Sequence, residues 1–125
     1  MSARILVVDD LEPNRRLLEA LLTADYYEVL EASRGEEAVQ LAKREKPDLI
    51  LLDVMMPGGI DGYEACRRLK AMPETRHIPV VILTTLDDRD NRVRGLQAGA
   101  EEFLTKPIDD VQLMARVKSL LTLKV

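Results

Sequence analysis

The 125-residue chain has one cysteine and one histidine. Cys66 alone excludes an internal disulfide, and His77 alone gives little support to a zinc cluster or to a nucleophilic triad that needs an imidazole base. A basic excess is missing as well, because 22 acidic residues against 18 basic ones leave a net charge of -4. That balance lacks the broad positive footprint of a nucleic-acid-binding surface. The apolar stretches are broken by Asp53 or by polar residues at helical spacing, well short of the ~20 residues of a membrane-spanning helix. No charged leader with a long apolar region precedes the first apolar run, and no repeat, low-complexity tract or linker interrupts the chain. The expectation is one soluble domain over residues 1–125, in the reducing cytoplasm.

What the chain does have is a set of short apolar runs, each ending at a polar residue. Ile5 to Val8 stops at Asp9-Asp10, Leu49 to Leu52 at Asp53, Val80 to Leu83 at Thr84, and Phe103-Leu104 at Thr105-Lys106-Pro107. Runs of that length read as buried strands, and Tyr27 to Glu31 supplies a fifth. Between them apolar residues recur at helical spacing, as in Leu17, Leu18, Leu21 and Leu22, or Leu113, Val117, Leu120 and Leu121. Ser33 with Glu36 and Asp61 with Glu64 have the spacing of capping boxes. Pro13 suits a first helical turn and Gly99 a helix end. Gly95, inside the fourth helix, lowers its stability by roughly 1 kcal/mol relative to alanine and predicts a poorly anchored element. Five strands alternating with five helices predict an α/β fold with a parallel sheet covered on both faces.

Parallel strands bring their carboxyl ends to one edge, where open α/β folds build their sites. Asp9, Asp10, Asp53, the Thr84 hydroxyl and the Lys106 ammonium then meet in one crevice. Read alone, Asp9-Asp10 is a loop start or helix cap and Lys106 a surface residue. Together with Asp53 they suit a hard divalent cation beside a carboxylate that accepts a phosphoryl group. Three close carboxylates repel one another unless a cation sits among them. Cys66 reads as a small core hydrophobe, and of the pair Met55-Met56 one reads as core and the other as a partly exposed wall.

The segments VVDD at 7–10, LLDVMMPG at 51–58, DGYE at 61–64, IPVVILTT at 78–85 and GAEEFLTKP at 99–107 together resemble the receiver domain of two-component response regulators. The resemblance implies the flavodoxin-like strand order 2-1-3-4-5, with Asp53 as phosphoacceptor. It implies Mg2+ held by Asp10, Asp53 and the backbone carbonyl of Met55, with Asp9 helping directly or through water. Lys106 would pair first with Asp53 and later with a phosphoryl oxygen, after a cis peptide before Pro107. Thr84 corresponds to the switch hydroxyl, and Phe103 to an aromatic that follows it inward, although core filling explains Phe103 equally well. Implied partners are a sensor histidine kinase or histidine phosphotransfer protein, and an output domain or separate effector. A phosphorylation-promoted homodimer is also implied, through the fourth helix, last strand and fifth helix, with Glu102 and Arg116 at positions that pair across related dimers. Neither nucleic acid nor membrane is an expected direct partner. Such a domain catalyses only its own phosphorylation and slow dephosphorylation. The stretches RHIPVVILTTLDD and LTKPIDDVQLMARVKSL resemble in particular the amino-terminal receivers of PleD-type diguanylate cyclases, which make cyclic di-GMP. A stand-alone receiver similar to DivK would read much the same.

The positions two residues after Asp53 and two after Thr84, Met55 and Leu86, carry no polar group to orient water, which implies slow loss of the phosphoryl group. Pro57-Gly58-Gly59-Ile60-Asp61-Gly62 holds one residue more than the usual pattern and predicts a more mobile loop. Two rivals share parts of this reading. A haloacid-dehalogenase-type phosphatase would place its nucleophile at Asp9 or Asp10. A flavodoxin-like FMN module would need phosphate donors where Asp9, Asp10 and Glu12 repel phosphate.

Overall fold

The computed structural model describes residues 2–85 and 89–122. Strands β1 (Arg4–Val8), β2 (Glu28–Ala32), β3 (Leu49–Asp53), β4 (Val80–Thr84) and β5 (Glu102–Thr105) form one sheet in the order β2-β1-β3-β4-β5. Every pairing is parallel. Helices α1 (Glu12–Ala24), α2 (Gly35–Glu45), α3 (Gly62–Ala71), α4 (Arg89–Gln97) and α5 (Asp110–Thr122) alternate with the strands. The expected class and strand order are both present, and β2 begins one residue later than the sequence suggests.

β3 and β4 are buried at every position, which is why they appear in the sequence as unbroken apolar runs rather than alternating ones. Alternation nevertheless divides their side chains. Leu6, Val8, Ile50, Leu52, Val80, Ile82 and Phe103 pack with Ala38, Ala42, Ala65, Cys66 and Leu69 on the side of α2 and α3. Ile5, Val7, Leu49, Leu51, Val81, Leu83 and Leu104 pack with Leu18 and Leu22 of α1 and with Leu113 and Val117 of α5. Each such aliphatic side chain, fully buried, contributes roughly 1.5–3 kcal/mol. The same period of two, carried one residue past the strand ends, assigns Asp9, Asp53 and Lys106 to the α1/α5 side and Thr84 to the other.

Helix ends follow the sequence signals in part. Asp61 caps α3 by accepting from the Glu64 N–H at 2.9 Å, and Pro13 occupies the first turn of α1. Gly99, at φ +95°, follows the end of α4. The expected Ser33–Glu36 capping box does not form. Arg34 is the extended N-cap residue of α2 without a side-chain cap bond, the Ser33 N–H donates to Glu37 at 2.8 Å, and Glu36 turns to another loop, accepting from the Ile60 N–H at 3.2 Å.

Gly95 has a reason that its helix propensity does not reveal. A Cβ there would lie 3.0 Å from Phe103 Cδ2, so the ring packs directly on the α4 backbone. Two further contacts tie α4 to α3: the buried Tyr63 hydroxyl donates to Asn91 Oδ1 at 3.1 Å, and the Arg94 guanidinium lies 4.4 Å from the centre of the Tyr63 ring. Val93 and Leu96 on α4 face outward.

Candidate functional site

The register places the polar strand ends side by side. Val8 pairs with Leu52, so Asp9 follows β1 next to Asp53 at the end of β3. Asp53 pairs with Leu83, and Thr84 with Thr105. Carboxylate oxygens of Asp9, Asp10 and Asp53 lie within 4.8 Å of one another. Asp9 and Asp53 are buried, at 2% and 5% exposure, whereas Asp10 is half-buried. Lys106 Nζ stands 3.1 Å from Asp53 Oδ1 and 3.4 Å from Asp9 Oδ2. Its backbone N–H donates to the Thr84 carbonyl at 2.7 Å, and the Lys106–Pro107 peptide is cis, as expected.

Burial and the neighbouring Asp9 charge push the Asp53 carboxyl above the usual carboxylate range, against the pull of Lys106. Burial also opposes the Lys106 charge, but Asp53 and Asp9 outweigh it and its pKa rises. The sign for stability is clear. A carboxylate whose folded pKa is raised binds its proton more tightly when folded, so stability is highest below its unfolded pKa and falls as pH rises through the folded value. At neutral pH ionised Asp53 therefore works against the fold. Asp53→Asn is expected to raise Tm by roughly 2–5 °C in cation-free buffer, the size of a like-charge repulsion on the order of 1 kcal/mol. Thermal unfolding at pH 7 in a chelator checks it; an unchanged or lower Tm would contradict it.

Sequence reasoning missed the groups that hold Asp9. Its Oδ1 accepts from the Leu11 N–H at 3.0 Å and its Oδ2 from the Asn14 amide at 3.2 Å. Arg15 Nη1 donates to the Asp9 carbonyl at 2.7 Å and pairs with Glu31 at 3.1 Å. The available signal was position, since Asn14 and Arg15 occupy the first turn of the helix that starts at Glu12.

Thr84 and Phe103 are both buried. Phe103 already lies inward against Gly95, with the Arg92 guanidinium 5.2 Å from its ring centre. Met55 is 56% exposed and Met56 4%, the division expected of that pair. Leu86 lies outside the described residues. Cys66 is buried, its thiol pushed up to about 11 by burial, and its Sγ donates to the Ala98 carbonyl at 3.4 Å, so it is a core side chain. His77 is exposed. Glu102 and Arg116 pair with each other inside one chain, 3.5 Å apart. The lengthened loop, expected to be mobile, is held from α2: Arg34 donates to the Gly58 carbonyl and Glu36 accepts from Ile60.

An all-oxygen donor set with two buried carboxylates and one at the solvent edge suits Mg2+, which takes a few carboxylates and keeps waters. The profile of the response regulator receiver domain matches residues 5–118. The chain belongs to that family. It is 64% identical over 124 residues to the response regulator PleD of Caulobacter vibrioides (strain NA1000 / CB15N), an alignment that covers 99% of this receiver and 27% of the relative. The receiver thus spans about a quarter of that relative's length. A putative response regulator from Chloroflexus aurantiacus J-10-fl superposes with TM-score 0.92 at 38% identity, covering 98% of this receiver and 99% of that chain. The receiver domain of a sensor histidine kinase from Pseudomonas aeruginosa PAO1, solved with a magnesium ion coordinated in its active-site cleft, superposes with TM-score 0.89 at 32% identity, covering 98% and 99%. Among the described residues no helix is long and apolar enough to cross a membrane.

Proposed function

We propose that the chain is a phosphoacceptor of a cytoplasmic two-component phosphorelay, and that Asp53 takes a phosphoryl group from a histidine of a sensor kinase or phosphotransfer protein. The observation that carries this reading is the acidic trio with an ammonium 3.1 Å from one carboxylate. A carboxylate oxygen of Asp53 attacks phosphorus; the N–P bond of the phosphohistidine breaks, the imidazole leaves, and an acyl phosphate remains. Asp10, Asp53 and the Met55 carbonyl would hold Mg2+, with Asp9 oriented beside them by Leu11 and Asn14. When bound, the ion supplies positive charge that offsets the phosphoryl oxygens. Lys106 releases Asp53 as its oxygen becomes esterified and turns its charge to a phosphoryl oxygen. A groove of about 240 Å³ beside this pocket, lined by Leu17, Leu21 and Ile108 together with Asp9 and Lys106, gives an apolar partner surface a seat within reach of Asp53.

The test is to treat the chain with acetyl phosphate and Mg2+ and to map the modified residue. One phosphoryl group on Asp53 is expected; modification of Asp9 or Asp10 instead would support the dehalogenase-type phosphatase.

The signal is read on the surface of α4, β5 and α5. Thr84 offers its hydroxyl to the phosphoryl group and Phe103 keeps its inward place, so the movable part is the packing of α4 on Phe103, Tyr63 and Asp61, to which Arg94 also reaches at 3.7 Å. A homodimer through this face would exchange the Glu102–Arg116 pair within a chain for one between chains, and an attached output domain or separate effector would respond to it. Beryllofluoride with Mg2+ is expected to change amide exchange in α4 and to raise the sedimenting mass. Unchanged exchange together with unchanged mass would sink this assignment.

A further inference from the structure

The loop from β3 to α3 carries Met55 at one end and the α3 cap Asp61 at the other. Both ends are fastened close to the pocket, where the Gly62 N–H donates to the Val54 carbonyl at 3.0 Å and Asp61 caps α3. Its middle, lengthened by one residue, is fastened only by contacts from the start of α2 among the bonds of the described residues. Arg34 donates to the Gly58 carbonyl, and Glu36 Oε2 accepts from the Ile60 N–H at 3.2 Å. The shapes interlock as well: a Cβ on Gly35 would meet Ile60 Cγ1 at 2.6 Å, and one on Gly59 would meet Glu36 Oε1 at 2.6 Å. Two glycines on opposite sides of the junction thus let the elements approach. The Glu36 carboxyl is held below the usual carboxylate range, first by its own backbone N–H at the helix start and next by that of Ile60.

We propose that Arg34 and Glu36 are positioning residues for the acidic pocket, holding the lengthened loop from α2 so that the Met55 carbonyl is presented to the cation beside Asp53. An added loop residue enlarges the set of backbone conformations the free loop samples. Two hydrogen bonds with charged partners at Gly58 and Ile60 remove that freedom. The α2 amino end, well separated in sequence from every pocket residue, thereby sets how well the site is formed. The proposal rests on the metal reading above.

The experiment titrates Mg2+ into the 125-residue chain and follows backbone amide shifts, comparing the parent, Arg34→Ala/Glu36→Ala, and each of these with Gly59 deleted to restore the shorter loop. In the long loop the double substitution is expected to weaken Mg2+ binding about five-fold and to speed amide exchange at Gly58 to Ile60, with Tm nearly unchanged because both side chains are exposed. In the shortened loop the same substitutions are expected to change affinity less than about two-fold. Gly59→Ala, whose Cβ displaces the Glu36 carboxylate, should reproduce the loss. Equal affinity of parent and double variant, or equal loss in both loop lengths, overturns the clamp while leaving the metal reading intact. A parent without any response to Mg2+ overturns the metal reading, and the clamp with it.

Discussion

Asp53→Asn is expected to abolish phosphorylation by acetyl phosphate, although the same change is expected to stabilise the fold. The carboxamide has no anionic oxygen to attack phosphorus, so the acyl phosphate cannot form. Both Asp9 oxygens already accept hydrogen bonds, from Leu11, Asn14 and Lys106, whereas Asp53 meets Lys106 through Oδ1, which makes Asp9 the poorer nucleophile of the two. Asp10, half-buried at the mouth, is the carboxylate best placed to give its oxygens to a cation. Asp10→Asn is therefore expected to weaken Mg2+ binding more than ~10-fold by removing one of few charged ligands. It should slow phosphorylation in proportion without moving it to another residue. Intact-mass kinetics at fixed acetyl phosphate and varied Mg2+ separate the two effects. Labelling of the Asp53→Asn chain at the parent's rate would refute the assignment of Asp53.

The lifetime of the phosphorylated state is expected to be long. An acyl phosphate is lost when water attacks phosphorus in line, and a side chain that accepts a proton from that water or orients it speeds the step. Met55 stands 56% exposed beside the pocket and has only a thioether to offer. Leu86, at the second position that the receiver pattern assigns to this task, is aliphatic. General-base assistance worth ~100-fold is thus missing. Met55→Asn with Leu86→Glu is expected to shorten the lifetime by about that factor while leaving the phosphorylation rate within a few-fold. Measuring decay of the phosphorylated chain by intact mass after removal of the donor checks it. A parent that decays as fast as the double variant would show that orientation of water by these side chains is not rate-limiting. With slow self-hydrolysis, termination of the signal falls to an external phosphatase or to return of the phosphoryl group to its donor.

The sequence by itself determined the fold class, the strand order through its family resemblance, and the meeting of Asp9, Asp10, Asp53 and Lys106 at one sheet edge. It could do so because a parallel strand buried on both faces must be written as a short apolar run, and because parallel strands put the residue after each run on the same edge. Asp9, Asp53 and Lys106 were legible for that reason, whereas the same alternation turns Thr84 to the other side of the sheet. What only the tertiary structure decided depends on side chains that meet across long separations in the chain. Lys106 divides itself between Asp53 and Asp9, 53 and 97 residues away; Phe103 selects Gly95 by ring contact; and Glu36 leaves its own helix cap for a loop 24 residues on. Local spacing favoured Ser33 with Glu36 as a capping box, and the exposed N–H of Ile60 competed for the same carboxylate and won. The loop that its extra glycine marked as loose is held for the same reason: a chain segment's freedom is set by the groups that reach it in space, which its own residues do not record.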